Sequence, residues 1–152
     1  MLCDEMITIE DLFSINFENG YANIKIGEHS NHFQCCKEDE EALLHMMDVL
    51  AKSSGLYGTD IVDVECILER CTSHQFLVLS QRKLDSENSV IAESESKAAV
   101  LLIIGCKEMG LSDVNRIIEG VVSHYPAESE IIFTAENSEI IPAGYYTLYV
   151  LE

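Results

Sequence analysis

Residues 98–151 read AAVLLIIGCKEMGLSDVNRIIEGVVSHYPAESEIIFTAENSEIIPAGYYTLYVL. From Ala98 to Ile104 every position is apolar. A strand with one buried face alternates, so an unbroken run predicts a central strand covered on both faces. Ser112 is suited to cap the helix that follows. Val114, Ile117, Ile118, Val121 and Val122 form one apolar stripe on it. Pro126 ends that helix, because its ring cannot continue one. Glu130–Thr134 and Tyr145–Leu151 read as closing strands, with Pro142 and Gly144 in the turn between them.

Outward from this stretch the chain is less uniform. Residues 83–97 are polar and acidic and read as a loop or weak helix, the segment expected to be most mobile. Phe76–Leu79 reads as a short strand. Asp60–Arg70 reads as a helix with Val64, Ile67 and Leu68 on one side. Residues 38–53 read as another, with Leu43, Met46, Met47 and Leu50 at helical spacing. Its acidic first turn, Glu38 to Glu41, suits the positive end of a helix dipole. Residues 7–28 admit two readings. Phe13, Ile15 and Phe17 alternate, Asn19-Gly20 follows, and Ala22, Ile24 and Ile26 alternate, which is a hairpin pattern. Alternatively Glu10–Phe17 is a short helix ended by Gly20. The expected fold class is α+β: a two-layer sandwich, mainly a β-sheet of about four to six strands packed on helices.

The bulk composition narrows the function classes. Of the 152 residues, 47% are hydrophobic, enough for a core and too many for a disordered chain. No apolar run approaches the ~20 residues of a membrane helix. The acidic start MLCDEMITIE is unlike a basic-then-apolar signal peptide, so a cytoplasmic protein is expected. The net charge of -18 repels phosphate backbones and anionic membranes; basic protein surfaces or divalent cations are better matched. The plain alternative is that the acids serve solubility. The six cysteines include no CxxC pair, so they read as reduced thiols, several of them small core residues.

Val100-Leu-Leu-Ile-Ile-Gly-Cys106, Gly110-Leu-Ser-Asp-Val-Asn-Arg-Ile-Ile-Glu-Gly-Val-Val122 and Glu130-Ile-Ile-Phe-Thr-Ala135 fall in the order and near the spacing of a known pattern. They resemble the C-terminal subdomain of the FtsZ/tubulin family, whose members carry a stretch like VLINITGG-DLGL-EVNEAAEIV and then NIIFG. Gly-Leu-x-x-Val-Asn at Gly110–Asn115 is the most specific shared piece, and residues 98–152 carry the likeness well. Upstream, the family's helix beginning Asp-Val, its Gly-Lys-Ala turn and its strand ending Ile-Gly-Glu are similar to Asp11-Leu12, Gly20-Tyr21-Ala22 and Ile26-Gly27-Glu28. Asp63-Val64, followed by the strand at Phe76, resembles the same element. Residues 1–57 are therefore expected to be an N-terminal helix/strand segment, either a partial duplicate or a chance match. Residues 58–152 are expected to form the FtsZ C-terminal-like α+β domain, with one compact domain over 1–152 as the alternative.

The resemblance implies a cell-division or cytoskeletal role and a protein partner, either an FtsZ-type GTPase or the chain itself. It does not extend to the family's Gly-rich phosphate loop, whose backbone N–H groups cradle nucleotide. No such loop occurs in this sequence, so GTPase activity and a nucleotide cofactor are not expected. The family's subdomain also supplies an Asn-x-Asp-x-x-Asp loop that reaches the next subunit's nucleotide. Gly58–Asp63 keeps its two carboxylates, which makes Asp60 and Asp63 the implied interaction residues; otherwise they simply favour a helix N-terminus.

A competing reading takes the imidazoles of His29 and His32 and the thiols of Cys35 and Cys36, near His45, as a zinc site or thiol centre. Their spacing matches no standard zinc motif, and adjacent cysteines rarely both reach one tetrahedral ion. Cys106, at the end of the buried strand, is a thiol nucleophile candidate with no base assignable from sequence. His124 reads as a partner of a helix dipole and His74 as a surface residue. The overall expectation is a non-enzymatic, FtsZ-like interaction protein of the bacterial cytoplasm with no cofactor, with a small metal-binding or thiol-dependent protein as the alternative.

Overall fold

In the computed structural model the described residues are 7–9, 13–52, 61–85 and 93–152. Alternation in the first part folds as strands. β1 (Ile7–Ile9), β2 (Phe13–Glu18), β3 (Tyr21–Ile26) and β4 (His29–Gln34) form an antiparallel meander in that order. Asn19 and Gly20 join β2 to β3, and both have positive φ, 51° and 83°, as a tight two-residue hairpin loop requires. The hairpin reading of residues 7–28 therefore holds over its described part, and Phe13–Phe17 is strand rather than helix. Phe13, Ile15, Phe17, Ala22, Ile24 and Ile26 face inward and are buried.

After a 3-10 turn at Lys37–Asp39 come α1 (Glu40–Lys52) and α2 (Ile61–Leu68). Then follow β5 (Phe76–Lys83), β6 (Ala98–Gly105), α3 (Leu111–Val122), β7 (Glu130–Asn137) and β8 (Tyr145–Leu151). The second sheet has the order β5-β8-β6-β7. β6 and β7 run parallel, with α3 as the crossover between them, while β8 is antiparallel to both β5 and β6. The result is an α+β fold.

Every residue of β6 is buried. Ala98, Val100, Leu102 and Ile104 belong to a core shared with the first sheet, α1 and α2. Ala99, Leu101 and Ile103 belong to a second core, closed by Val114, Ile117 and Val121 of α3. This is why the run does not alternate: there is no wet face to which a polar residue could be assigned. Each fully buried aliphatic side chain here contributes about 1.5–3 kcal/mol of transfer free energy.

Local details differ from the sequence expectation for identifiable reasons. α3 starts after Gly110, whose N–H donates to the Asp113 carboxylate at 2.9 Å, so Asp113 performs the capping expected of Ser112. β5 runs on to Lys83 across a bulge between Leu79 and Arg82, where Gln81 has φ 51°. β4 was hidden because Phe33 is its only buried residue. With β1 and β4 added, the described residues form eight strands in two four-stranded sheets.

The two sheets are stitched together at one corner. Gln34 N–H donates to the His74 carbonyl at 2.8 Å, and Gln75 and Glu152 exchange backbone hydrogen bonds of 3.1 and 3.0 Å. The Glu152 carboxylate is buried there, accepting from the Tyr125 hydroxyl at 2.6 Å and the Gln75 amide at 2.5 Å. A buried carboxylate is tolerable only when its oxygens are satisfied in this way. Burial, then the hydrogen bond to Glu152, pushes the Tyr125 hydroxyl pKa well up, so it remains a donor.

Candidate interaction surface

α2 carries Asp63, one of the two residues that the resemblance singled out. Val64, Ile67 and Leu68 are buried at helical spacing and seat the helix on β6 and β7. Its other side presents Asp63, Cys66 and, just past its end, Glu69 to solvent, with Glu65 half-buried. Asp63 lies in the first turn, where the helix dipole favours a carboxylate. Asp60 lies outside the described residues.

Arg70 and His29 tie this acidic helix to two strands. Arg70 pairs with Glu130 at the start of β7. His29 of β4 meets Glu65 through Nδ1 at 2.5 Å and Glu69 through Nε2 at 3.4 Å. The hydrogen bond to Glu65 raises the His29 pKa above its usual 6.5, with the charges of Glu69, Glu65 and Glu28 adding to it and partial desolvation opposing. The turn before β4 makes room for the contact. Gly27 has φ +61°, and a Cβ there would stand 3.0 Å from Glu65 Oε2. Asp63 itself is exposed.

The four candidate metal ligands are not brought together. His29 and His32 point to opposite faces of the first sheet, since their register partners are inward Ile26 and outward Asn23. Cys35 is buried, and burial, with the nearby Asp39 charge, pushes its thiol up to about 12. Cys36 is exposed and its S–H donates to Asp39 at 3.1 Å, a contact that also raises its pKa. A raised pKa disfavours the thiolate that binds metal or attacks an electrophile. No group of three or more His, Cys, Asp or Glu able to hold a metal ion occurs among the described residues. His45 is exposed on α1, with its ring near that of Tyr149.

Cys106 is buried just past β6, where Asn137 donates to its carbonyl at 2.9 Å. His124, at the end of α3, lies 3.4 Å from Glu93, and His74 is exposed in a left-handed turn with φ 54°. Sequence reasoning grouped His29 with thiols six and seven residues on. Its real partners are the carboxylates on α2, and the only signal for them is their spacing of four residues at Glu65 and Glu69.

No protein-family profile and no curated protein sequence matches the chain. Solved structures do. FtsZ from M. jannaschii, as a tryptophan-to-tyrosine mutant, superposes with a TM-score of 0.55 at 16% identity, over 76% of this chain and 39% of that one. The empty FtsZ dimer from M. jannaschii gives 0.58 at 15% identity, over 76% and 38%. The chain thus spans under two-fifths of the FtsZ length. At such identities the likeness is one of fold, and the chain shares that fold with part of FtsZ.

Proposed function

We propose that this is a non-enzymatic interaction protein that assembles with itself or docks on an FtsZ-type cell-division or cytoskeletal filament in the bacterial cytoplasm. The observation that carries the reading is the fold likeness to FtsZ over three-quarters of the chain, in a sequence without a phosphate-cradling loop. Residues 58–152 serve as the FtsZ C-terminal-like unit. Residues 1–57 supply the sheet and helix that close its inner face. Docking uses the α2 face, with Asp60 and Asp63 directed at a basic surface of the neighbour. The complex contains protein only; nucleic acid and membranes are repelled by the charge of -18. Among the described residues no helix is long and apolar enough to cross a membrane.

A one-sided binder of this kind adds to a filament end and blocks the next subunit. Light scattering of an assembling FtsZ at low salt tests it. Substoichiometric protein shortens filaments, the effect fades as salt rises, and Asp60→Lys with Asp63→Lys abolishes it. Unchanged scattering with the protein in excess refutes docking; absence of concentration-dependent mass in sedimentation then refutes self-assembly.

A further inference from the structure

The outer face of the first sheet holds a cavity of about 410 Å³ that the α2 surface does not touch. Strand register builds it. Asn16 of β2, Asn23 of β3 and His32 of β4 are paired across three strands, and Glu18 pairs with Tyr21 in the adjoining row. Asn19, in its left-handed turn, closes one end. Tyr21 is 49% exposed, one of the few large hydrophobic side chains of the described residues to be so open. At the floor, the Asn23 side-chain oxygen is buried and accepts no hydrogen bond among the described residues. A buried acceptor left unsatisfied is destabilising, so such a group calls for a donor.

We infer that this cavity receives the guanidinium of an arginine side chain from a basic segment of a partner protein. The lining offers the Glu18 carboxylate, the Asn23 amide oxygen and an open aromatic ring. A guanidinium is planar, carries five N–H donors and no acceptor, and stacks on aromatic faces. It donates to Glu18 and to the Asn23 oxygen while lying on Tyr21. Charge complementarity favours a cation over a neutral ligand, because the chain carries -18. A second cleft, of about 560 Å³, adjoins across the hairpin turn: Glu18 and Asn19 line both. Glu40 and Glu41 stand in that cleft against one cation, Lys37, with Leu44 for an alkyl stem. A segment with two basic residues therefore spans both clefts, which distinguishes a peptide partner from free arginine.

NMR titration of the full chain with blocked peptides tests this. Ac-Gly-Arg-Gly-NH2 gives saturable shifts at the Asn23 side-chain amide and at Glu18 to Gly20. The lysine peptide binds several-fold more weakly, and the citrulline peptide, isosteric but neutral, gives no saturable shift. Glu18→Gln and Tyr21→Ala, both at exposed sites, each weaken binding about tenfold. A peptide with two arginines binds at least about tenfold tighter than one. The inference is overturned by an absence of saturable shifts, by equal binding of the citrulline peptide, by shifts confined to α2, or by affinity unchanged in Glu18→Gln. Saturable binding of a neutral sugar such as maltose in place of the arginine peptide also overturns it.

Discussion

Leu102 and Ile103 sit side by side on β6 and are both fully buried, yet they face different cores. Replacing either by alanine removes about three methyl or methylene groups, a transfer loss of about 2.4 kcal/mol. Both sites are held by layers that cannot collapse freely. Leu102 packs in the core shared with the first sheet, and Ile103 against α3. Residual cavities add about 1–2 kcal/mol, placing each variant within the usual range of about 2–5 kcal/mol. With an urea slope near 2 kcal/mol per molar, each substitution lowers the midpoint by about 1–2 M while the slope stays constant. Equilibrium urea unfolding followed by far-UV circular dichroism measures this. In a strand with one buried face, adjacent residues would differ sharply. If one variant loses less than about 1 kcal/mol while its neighbour loses the full amount, β6 is not covered on both sides.

Other perturbations probe separate parts of the molecule. The His29 pKa lies above 6.5 in the folded chain, so its contact with Glu65 contributes fully below pH 6.5 and is lost as pH rises through the raised value; an NMR titration that finds His29 at or below 6.5, or unmoved by Glu65→Gln, contradicts this. Cys71, pushed up to about 12 by burial and the Glu152 charge, and Cys35, also about 12, resist iodoacetamide at pH 8 until denaturant is added, whereas exposed Cys66 reacts at once; mass spectrometry of the labelled peptides decides. At Gly105 an added Cβ would meet the Met109 sulfur at 2.2 Å and its Cβ at 2.9 Å, so Gly105→Ala costs about 1–3 kcal/mol by thermal or urea unfolding; a neutral result means the β6–α3 turn yields freely. GTP with Mg²⁺ gives no micromolar isotherm in calorimetry, and one that did would require a nucleotide site unlike a Gly-rich loop.

The parts of the fold that could be read in advance are those where side-chain chemistry is decided locally. β6, α3 and the hairpin at Asn19-Gly20 announce themselves through an unbroken apolar run, a helical stripe and a turn dipeptide. β4 could not be read that way. His29-Ser-Asn-His-Phe-Gln pairs through its backbone with β3, and only Phe33 enters the core. The polar end of β5 is likewise strand because β8 lies beside it. The α2 helix was legible, but the carboxylate partners of His29 were not, since they are 36 and 40 residues away. The buried Glu152 was equally unreadable, since Tyr125 and Gln75 converge on it only after both sheets close.

The position of β8 between β5 and β6 has a consequence for synthesis on the ribosome. The meander of the first sheet pairs only neighbours in sequence, so it can close as it emerges. β5 and β6 have no such option, because the strand that separates them is made after α3 and β7. β5 ends at Lys83 and β8 at Leu151, an interval that translation crosses in several seconds at about 5–20 residues per second. Once β6 is made, its edge facing the place of β8 stays open until β8 follows. The chain's -18 charge keeps nascent copies apart over this interval, and a holdase that binds extended apolar strands would find its target there.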